Sequence, residues 1–199
     1  MKFNPEIYHR HTIRLQGYDY SSEGAYFVTI CTQNHECLFG EILNNKMILN
    51  AAGQMITTIL QQIPDHYPGN DIDEFVVMPN HIHSIIIVGA GPRVCPNKNV
   101  CPGPRACPGE SGNHGGLPLP DIVSRIKTMT TKKYSDGVIK SGWQPFNGKL
   151  WQRNYYEHII RNENELFQIR EYVENNPANW ETDPPGQPHL QNLLEETCK

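Results

Sequence analysis

No stretch of this 199-residue chain approaches the roughly 20 consecutive apolar residues needed to cross a bilayer. The opening MKFNPEIYHRHTIRLQGYDY has charges and a proline where an export signal needs an apolar run. A soluble, cytoplasmic protein with no membrane association is expected. Positive charge is not in excess: 17 Lys and Arg against 21 Asp and Glu leave a net charge of −4. That excludes a polycation that coats duplex DNA, and confines any nucleic-acid contact to a local patch. The phosphate-cradling GxxxxGK[ST] loop is missing, so nothing points to nucleotide-driven chemistry. Also missing is any Cys-x-x-Cys pair; without an export signal the six cysteines are expected to be reduced thiols. What is present suffices for one domain. The chain is 38% hydrophobic, with nine Tyr, six Phe and three Trp to fill a core, while 16 Gly and 16 Pro imply much loop.

AYFVTICTQN reads as a strand, and CLFGEILNNKMILN as two short strands around an Asn44-Asn45 turn, so the chain opens as a β-meander. Asn50 is placed to cap a helix in which Ala52, Met55, Ile56, Ile59 and Leu60 recur at helical spacing, and IPDHYPGND stops it. DEFVVMPNHIHSIIIV follows as a long strand or strand pair, kinked at Met78-Pro79-Asn80 because proline removes a ladder donor. A Gly/Pro/Cys-rich segment at about 89–120 has no periodicity and reads as a surface insert. Pro120-Asp121 opens a second helix, DIVSRIKTMTTKKY, and KLWQRNYYEHIIR resembles a further strand. Asn162 with Glu165 gives a capping-box-like start to ENELFQIREYVENN, which Pro177 ends. Residues 181–199 are expected to form a mobile tail. This order suits an α+β domain over residues 1–180: a ferredoxin-like (RRM-like) sandwich, an antiparallel sheet with helices packed on one face.

Two histidines sit one residue apart in VVMPNHIHSIIIVG. Side chains alternate along a strand, so His81 and His83 face one way while Ile82 and Ser84 face the other. Two neighbouring imidazoles on a strand held rigid by Ile85, Ile86, Ile87 and Val88 can chelate a divalent cation or exchange protons; the plain alternative is a pair of hydrogen-bonded structural residues. A pair alone is incomplete, because a catalytic metal usually takes a third protein ligand. The last helix offers one. Tyr172 and Asn176, four residues apart, share a face beside the inward stripe of Leu166, Ile169 and Val173. If the stripe docks on the sheet, the phenol and the amide come to the edge of the buried surface, where the amide oxygen can reach a metal. Read alone, a Tyr and an Asn in a helix are more often core-edge and capping residues than a site.

MPNHIHSIIIV, GKLWQRNYYEHIIRNENEL and REYVENNP resemble the REP-associated tyrosine transposases, within the single-tyrosine group of HUH transposases, and IRLQGYDYSSEGAYFVTICTQNHECLFGEI resembles their N-terminal part. The resemblance runs from Arg14 to Trp180 apart from the insert. It implies a ferredoxin-like fold; His81 and His83 as ligands of Mg²⁺ or Mn²⁺; Tyr172 as nucleophile; and Asn176 as third ligand, a position where many relatives outside the subgroup carry Gln. It further implies cleavage and transfer of single-stranded DNA through a 5′-phosphotyrosine link. The partner would be single-stranded or hairpin DNA of REP-like palindromes, met by a monomer or homodimer. Tyr155, Tyr156, Trp151 or Trp143 are the candidate stacking surfaces, and Arg10, Arg14, Arg125, Lys127, Lys132, Lys133 and Arg153 the candidate phosphate contacts. Core aromatics and solvated charges are the plain reading of the same residues.

Three alternatives remain at this level. Tyr155 or Tyr156 is the rival nucleophile, although adjacent strand residues point apart. A non-catalytic single-stranded DNA or RNA-binding module is the rival class, since ferredoxin-like sheets can expose base-stacking aromatics. HIHS also offers His83 and Ser84 for metal-free phosphoester hydrolysis, but no second such motif exists. The insert cysteines Cys95, Cys101 and Cys107 recur every six residues, and read as repeat drift rather than a zinc site.

Overall fold

β1, Gly24–Cys31, is β-branched and aromatic enough to be buried on both faces, and the rest of the domain is arranged around it. The computed structural model describes residues 15, 17–89 and 116–180. After β1 come β2 (Gly40–Leu43), β3 (Lys46–Leu49), α1 (Ala51–His66), β4 (Asn70–Val77) and β5 (His81–Val88). Then follow α2 (Leu119–Ser141), β6 (Tyr156–Ile160) and α3 (Glu163–Asn175), with short 3-10 turns at Gln33–His35 and Asn176–Asn179. The main sheet has the order β4-β5-β1-β6, every neighbour antiparallel. With α1 and α2 as its crossovers this is the ferredoxin-like α+β connectivity expected.

Each face is set by alternation. Tyr26, Val28 and Ile30 of β1, with Ile82 and Ile86 of β5, pack against Ile56, Leu60 and Ile63 of α1 and Ile122 and Ile126 of α2. Ala25, Phe27 and Ile85 face the other way and meet Leu166, Ile169, Tyr172 and Val173 of α3. The two long helices therefore occupy one face together, and α3 lies against the opposite one.

Several boundaries differ from the sequence reading, for local reasons. The β2–β3 hairpin is a separate two-stranded sheet rather than part of a meander; its turn is at Asn44 and Asn45, both at positive φ, as expected. α1 runs through Pro64, which sits in the last turn where the Tyr67 amide still reaches the Ile63 carbonyl. α2 begins at Leu119 and extends to Ser141, where Gly142 closes it in the left-handed conformation. The kink at Met78-Pro79-Asn80 is the turn of the β4–β5 hairpin. The expected insert and the tail lie outside the described residues, except for Gly89, for 116–118, which lead into α2, and for 119–120, which are its first residues. A Cβ on Gly116 would fall 3.2 Å from the Gly89 amide nitrogen, so the chain between them begins and ends at one place. No helix among the described residues is long and apolar enough to cross a membrane.

Candidate metal and nucleophile site

β5 is an interior strand, and its first turn-proximal residues carry the histidines. His81 stands opposite Cys31, and His83 between Thr29 on β1 and Val76 on β4. Both rings are buried, and their Nε2 atoms approach to 3.0 Å. The far side of each ring is held. Asn80 donates its amide to the His35 carbonyl, which fixes its oxygen toward the His81 Nδ1 at 2.7 Å, so that nitrogen must carry the proton. The Thr29 hydroxyl lies 2.8 Å from the His83 Nδ1. His81 therefore turns a bare Nε2 toward the gap. His83 can match it only by donating a proton or by sharing a cation, and the Thr29 hydroxyl permits either because it donates or accepts.

Burial pushes the His81 imidazole down to about 4, opposed by its hydrogen bond with Asn176 and reinforced by His35. Burial, and next to it His81, also holds His83 well below the ordinary imidazole range. Both rings are neutral at neutral pH, the form that binds metal.

α3 brings up the rest. Its Asn162 side chain accepts from the Glu165 amide; the Glu165 carboxylate accepts from the Arg161 amide and pairs with His158 Nε2 at 2.6 Å. Arg170 grips Asp73 of β4 through Nε and Nη2 at 2.6 and 2.8 Å. So anchored, the helix lays the buried Tyr172 ring edge-on to His83, centroids 5.4 Å apart, and edge-on to Phe27 at 5.9 Å. One turn on, buried Asn176 meets His81. The four residues expected to form the site thus converge within one chain. Trp180, not anticipated, stacks on His81 with centroids 6.0 Å apart and planes 14° from parallel.

The donor set fits a small divalent cation: two neutral imidazoles with Nε2 atoms converging, their Nδ1 atoms hydrogen-bonded as ligating histidines require, and an adjacent amide oxygen. Among the described residues no group of three or more His, Cys, Asp or Glu side chains is placed to hold a metal ion; the amide of Asn176, in contact with His81, is the neighbouring side chain that can add a third donor.

The other candidates are dispersed. Tyr156 faces the histidine side of β6 near Phe27, and burial raises its phenol above the ordinary range. Tyr155 faces the other side, as alternation requires. Trp151 is buried in the core with its Nε1 donating to the Thr130 hydroxyl, and Trp143 is half-buried against Gly137 and edge-on to Tyr134. The Lys127 ammonium donates to the carbonyls of Gln152, Arg153 and Asn154. It therefore holds a protein loop rather than facing out for phosphate. Arg125, Lys132, Lys133 and Arg153 are exposed; Arg10 and Arg14 lie outside the described residues. Ser84 points away from His83 with its Oγ buried and without a hydrogen-bond partner, which removes the His-Ser alternative. Asn80 and Thr29 were missed as site residues. Thr29 shares the Phe27 face by alternation, but only the β1–β5 register puts it against His83.

A REP-associated tyrosine transposase bound to a REP hairpin has a similar fold, at a TM-score of 0.52 and 18% identity over 84% of this chain and 74% of that one. A candidate transposase from Deinococcus radiodurans aligns over 82% of this chain and 97% of its own, at 17% identity and a TM-score of 0.42. No protein-family model matches the sequence. An uncharacterized protein of Haemophilus influenzae is 42% identical over 192 residues, spanning 92% of this chain and 96% of its own. Identity at that level across nearly the full length of both chains makes this protein a member of the same family as the Haemophilus influenzae protein.

Proposed function

We propose that this protein is a metal-dependent single-strand DNA endonuclease and strand transferase of the HUH transposase kind, acting on hairpin DNA through a tyrosine nucleophile. The reading is carried by one observation: the two Nε2 atoms at 3.0 Å, Asn176 bonded to His81 and the Tyr172 ring 5.4 Å from that of His83 all belong to one chain. The fold similarity to a transposase bound to a REP hairpin supports it.

Mg²⁺ or Mn²⁺ held by His81, His83 and the Asn176 amide oxygen would supply Lewis-acid polarisation of the scissile phosphate. Asn80 holds the His81 imidazole with a bare Nε2, and the Thr29 hydroxyl, which donates or accepts, lets His83 adopt the same tautomer. The Tyr172 oxygen attacks phosphorus and forms an O–P bond; the P–O3′ bond breaks, and the phenolic proton is balanced by protonation of the departing 3′-oxygen. The result is a 5′-phosphotyrosine, from which a second 3′-hydroxyl can displace the phenol. Phosphoester energy is conserved, in keeping with the absence of a nucleotide-binding loop.

The rival reading, a binding module without catalysis, needs a sheet face open to bases. Here α3 occupies the face opposite α1 and α2. The test is incubation of Tyr172→Phe with Mn²⁺ and a hairpin bearing a single-stranded flank, followed by denaturing electrophoresis. Wild type and Tyr156→Phe are expected to give a covalent adduct, and Tyr172→Phe none. An adduct that persists without Tyr172, or DNA binding untouched by His81→Ala/His83→Ala with no adduct from any variant, overturns the reading.

A further inference from the structure

We propose that the open groove between α2 and residues 148–155 carries the sugar–phosphate backbone of the single-stranded flank of the DNA substrate; this rests on the function proposed above. The groove has a volume of about 670 Å³. Lys132, Lys149 and Arg153, all exposed, line it, and none of its lining residues is a carboxylate. On a chain of net charge −4 this is a local inversion of sign, which is what a groove tracking a polyanion requires.

Its shape is built by Lys127, whose bonds to three successive carbonyls tie Gln152–Asn154 to α2 and whose ammonium sits 5.3 Å from the Tyr155 ring centroid. A lining aromatic beside the cations suits an unstacked base. The volume matches sites that enclose one small ligand, roughly one or two nucleotides, and is too small for a duplex whose major groove alone is about 12 Å wide.

Position adds the link to the site. β6 is an edge strand, with Tyr155 toward the α2 side and Tyr156 toward the histidines. The Gln152 amide bonds the Cys31 carbonyl, and Cys31 stands opposite His81. At about 4.8 Å between strands, the groove ends roughly 10 Å from His81. A single strand rounding this edge passes from the cations to the scissile position.

The experiment is fluorescence anisotropy in EDTA on a Tyr172→Phe background, with a blunt hairpin and the same hairpin carrying a single-stranded flank of about six nucleotides. The groove variant is Lys132→Gln/Lys149→Gln/Arg153→Gln; the control, matched in charge, is Lys46→Gln/Lys140→Gln/Arg161→Gln. The groove variant is expected to bind the flanked hairpin about 10- to 100-fold more weakly, with the salt slope reduced by about 2, and to bind the blunt hairpin like the control. Equal losses on both DNAs, or no loss, overturn the groove alone. If the Tyr172→Phe parent binds neither DNA, the proposed function falls and the groove with it. The groove and control substitutions replace exposed side chains, and melting curves matching that of the Tyr172→Phe parent establish that the variants fold.

Discussion

At the residue scale the site depends on what holds the two histidines as much as on the histidines themselves. His81 and His83 were legible as neighbours because a period of two allows no other arrangement. Asn80, read as part of a kink, is the residue that commits the His81 Nδ1 to donating, and nothing in the sequence separates those roles before the His35 carbonyl is located. The bonds of Lys127 were illegible for the same reason: an exposed-looking lysine on a helix does not reveal that three carbonyls will meet it. Asn80→Ala is expected to leave the fold intact and weaken Mn²⁺ binding about 10- to 100-fold, the usual cost of losing an outer partner of a ligating histidine. Titration calorimetry of the purified variant checks this. Unchanged affinity would mean that the His81 ring is oriented by Trp180 and Asn176 without it.

At the scale of elements, α3 is the part on which the candidate site depends, since it carries Tyr172 and leads into Asn176. Its apolar contribution is Leu166, Ile169 and Val173, worth roughly 1.5–3 kcal/mol each on burial, and its ends are defined by Asn162 and by the 3-10 turn holding Asn176. The start of this helix was fully legible, since Asn followed three residues later by Glu has one reading. Its docking face was legible in period but not in destination: nothing in the stripe says that α3 goes to the sheet face that α1 and α2 leave open. Glu165 joins the cap to the sheet through His158, so Glu165→Ala removes a cap acceptor and a partly buried pair together. It should cost about 1–3 kcal/mol and lower the melting temperature by several degrees. A stronger loss of covalent adduct than of DNA affinity is expected, because the helix carries the proposed nucleophile and not the groove. Calorimetry together with the adduct assay reads both, and parallel losses would contradict the division.

At the scale of the whole molecule, the sheet separates the larger apolar core from the candidate site. One face is a continuous apolar core with α1 and α2; the other includes two buried imidazoles that water cannot reach to stabilise as cations. The pH dependence of folding should carry that signature. Unfolded histidines take up protons near 6.5, whereas His81 in the folded protein does so only near 4, because burial penalises its charged form. His83 is depressed in the same direction. The unfolded chain therefore binds more protons than the folded one across this interval, so stability is full above pH 6.5 and declines as pH falls toward 4. His81 alone accounts for about 3 kcal/mol of that decline. In EDTA, the melting temperature should fall by roughly 5–10 °C between pH 6.5 and 4.5 from this group. His81→Gln should fall by less, since it has no ring to protonate. Mn²⁺ at pH 7.5 should raise the wild-type melting temperature and leave His81→Gln unmoved, because only the folded wild type presents the paired Nε2 atoms. Identical pH profiles for the two proteins would place the acid sensitivity elsewhere, among carboxylates common to both.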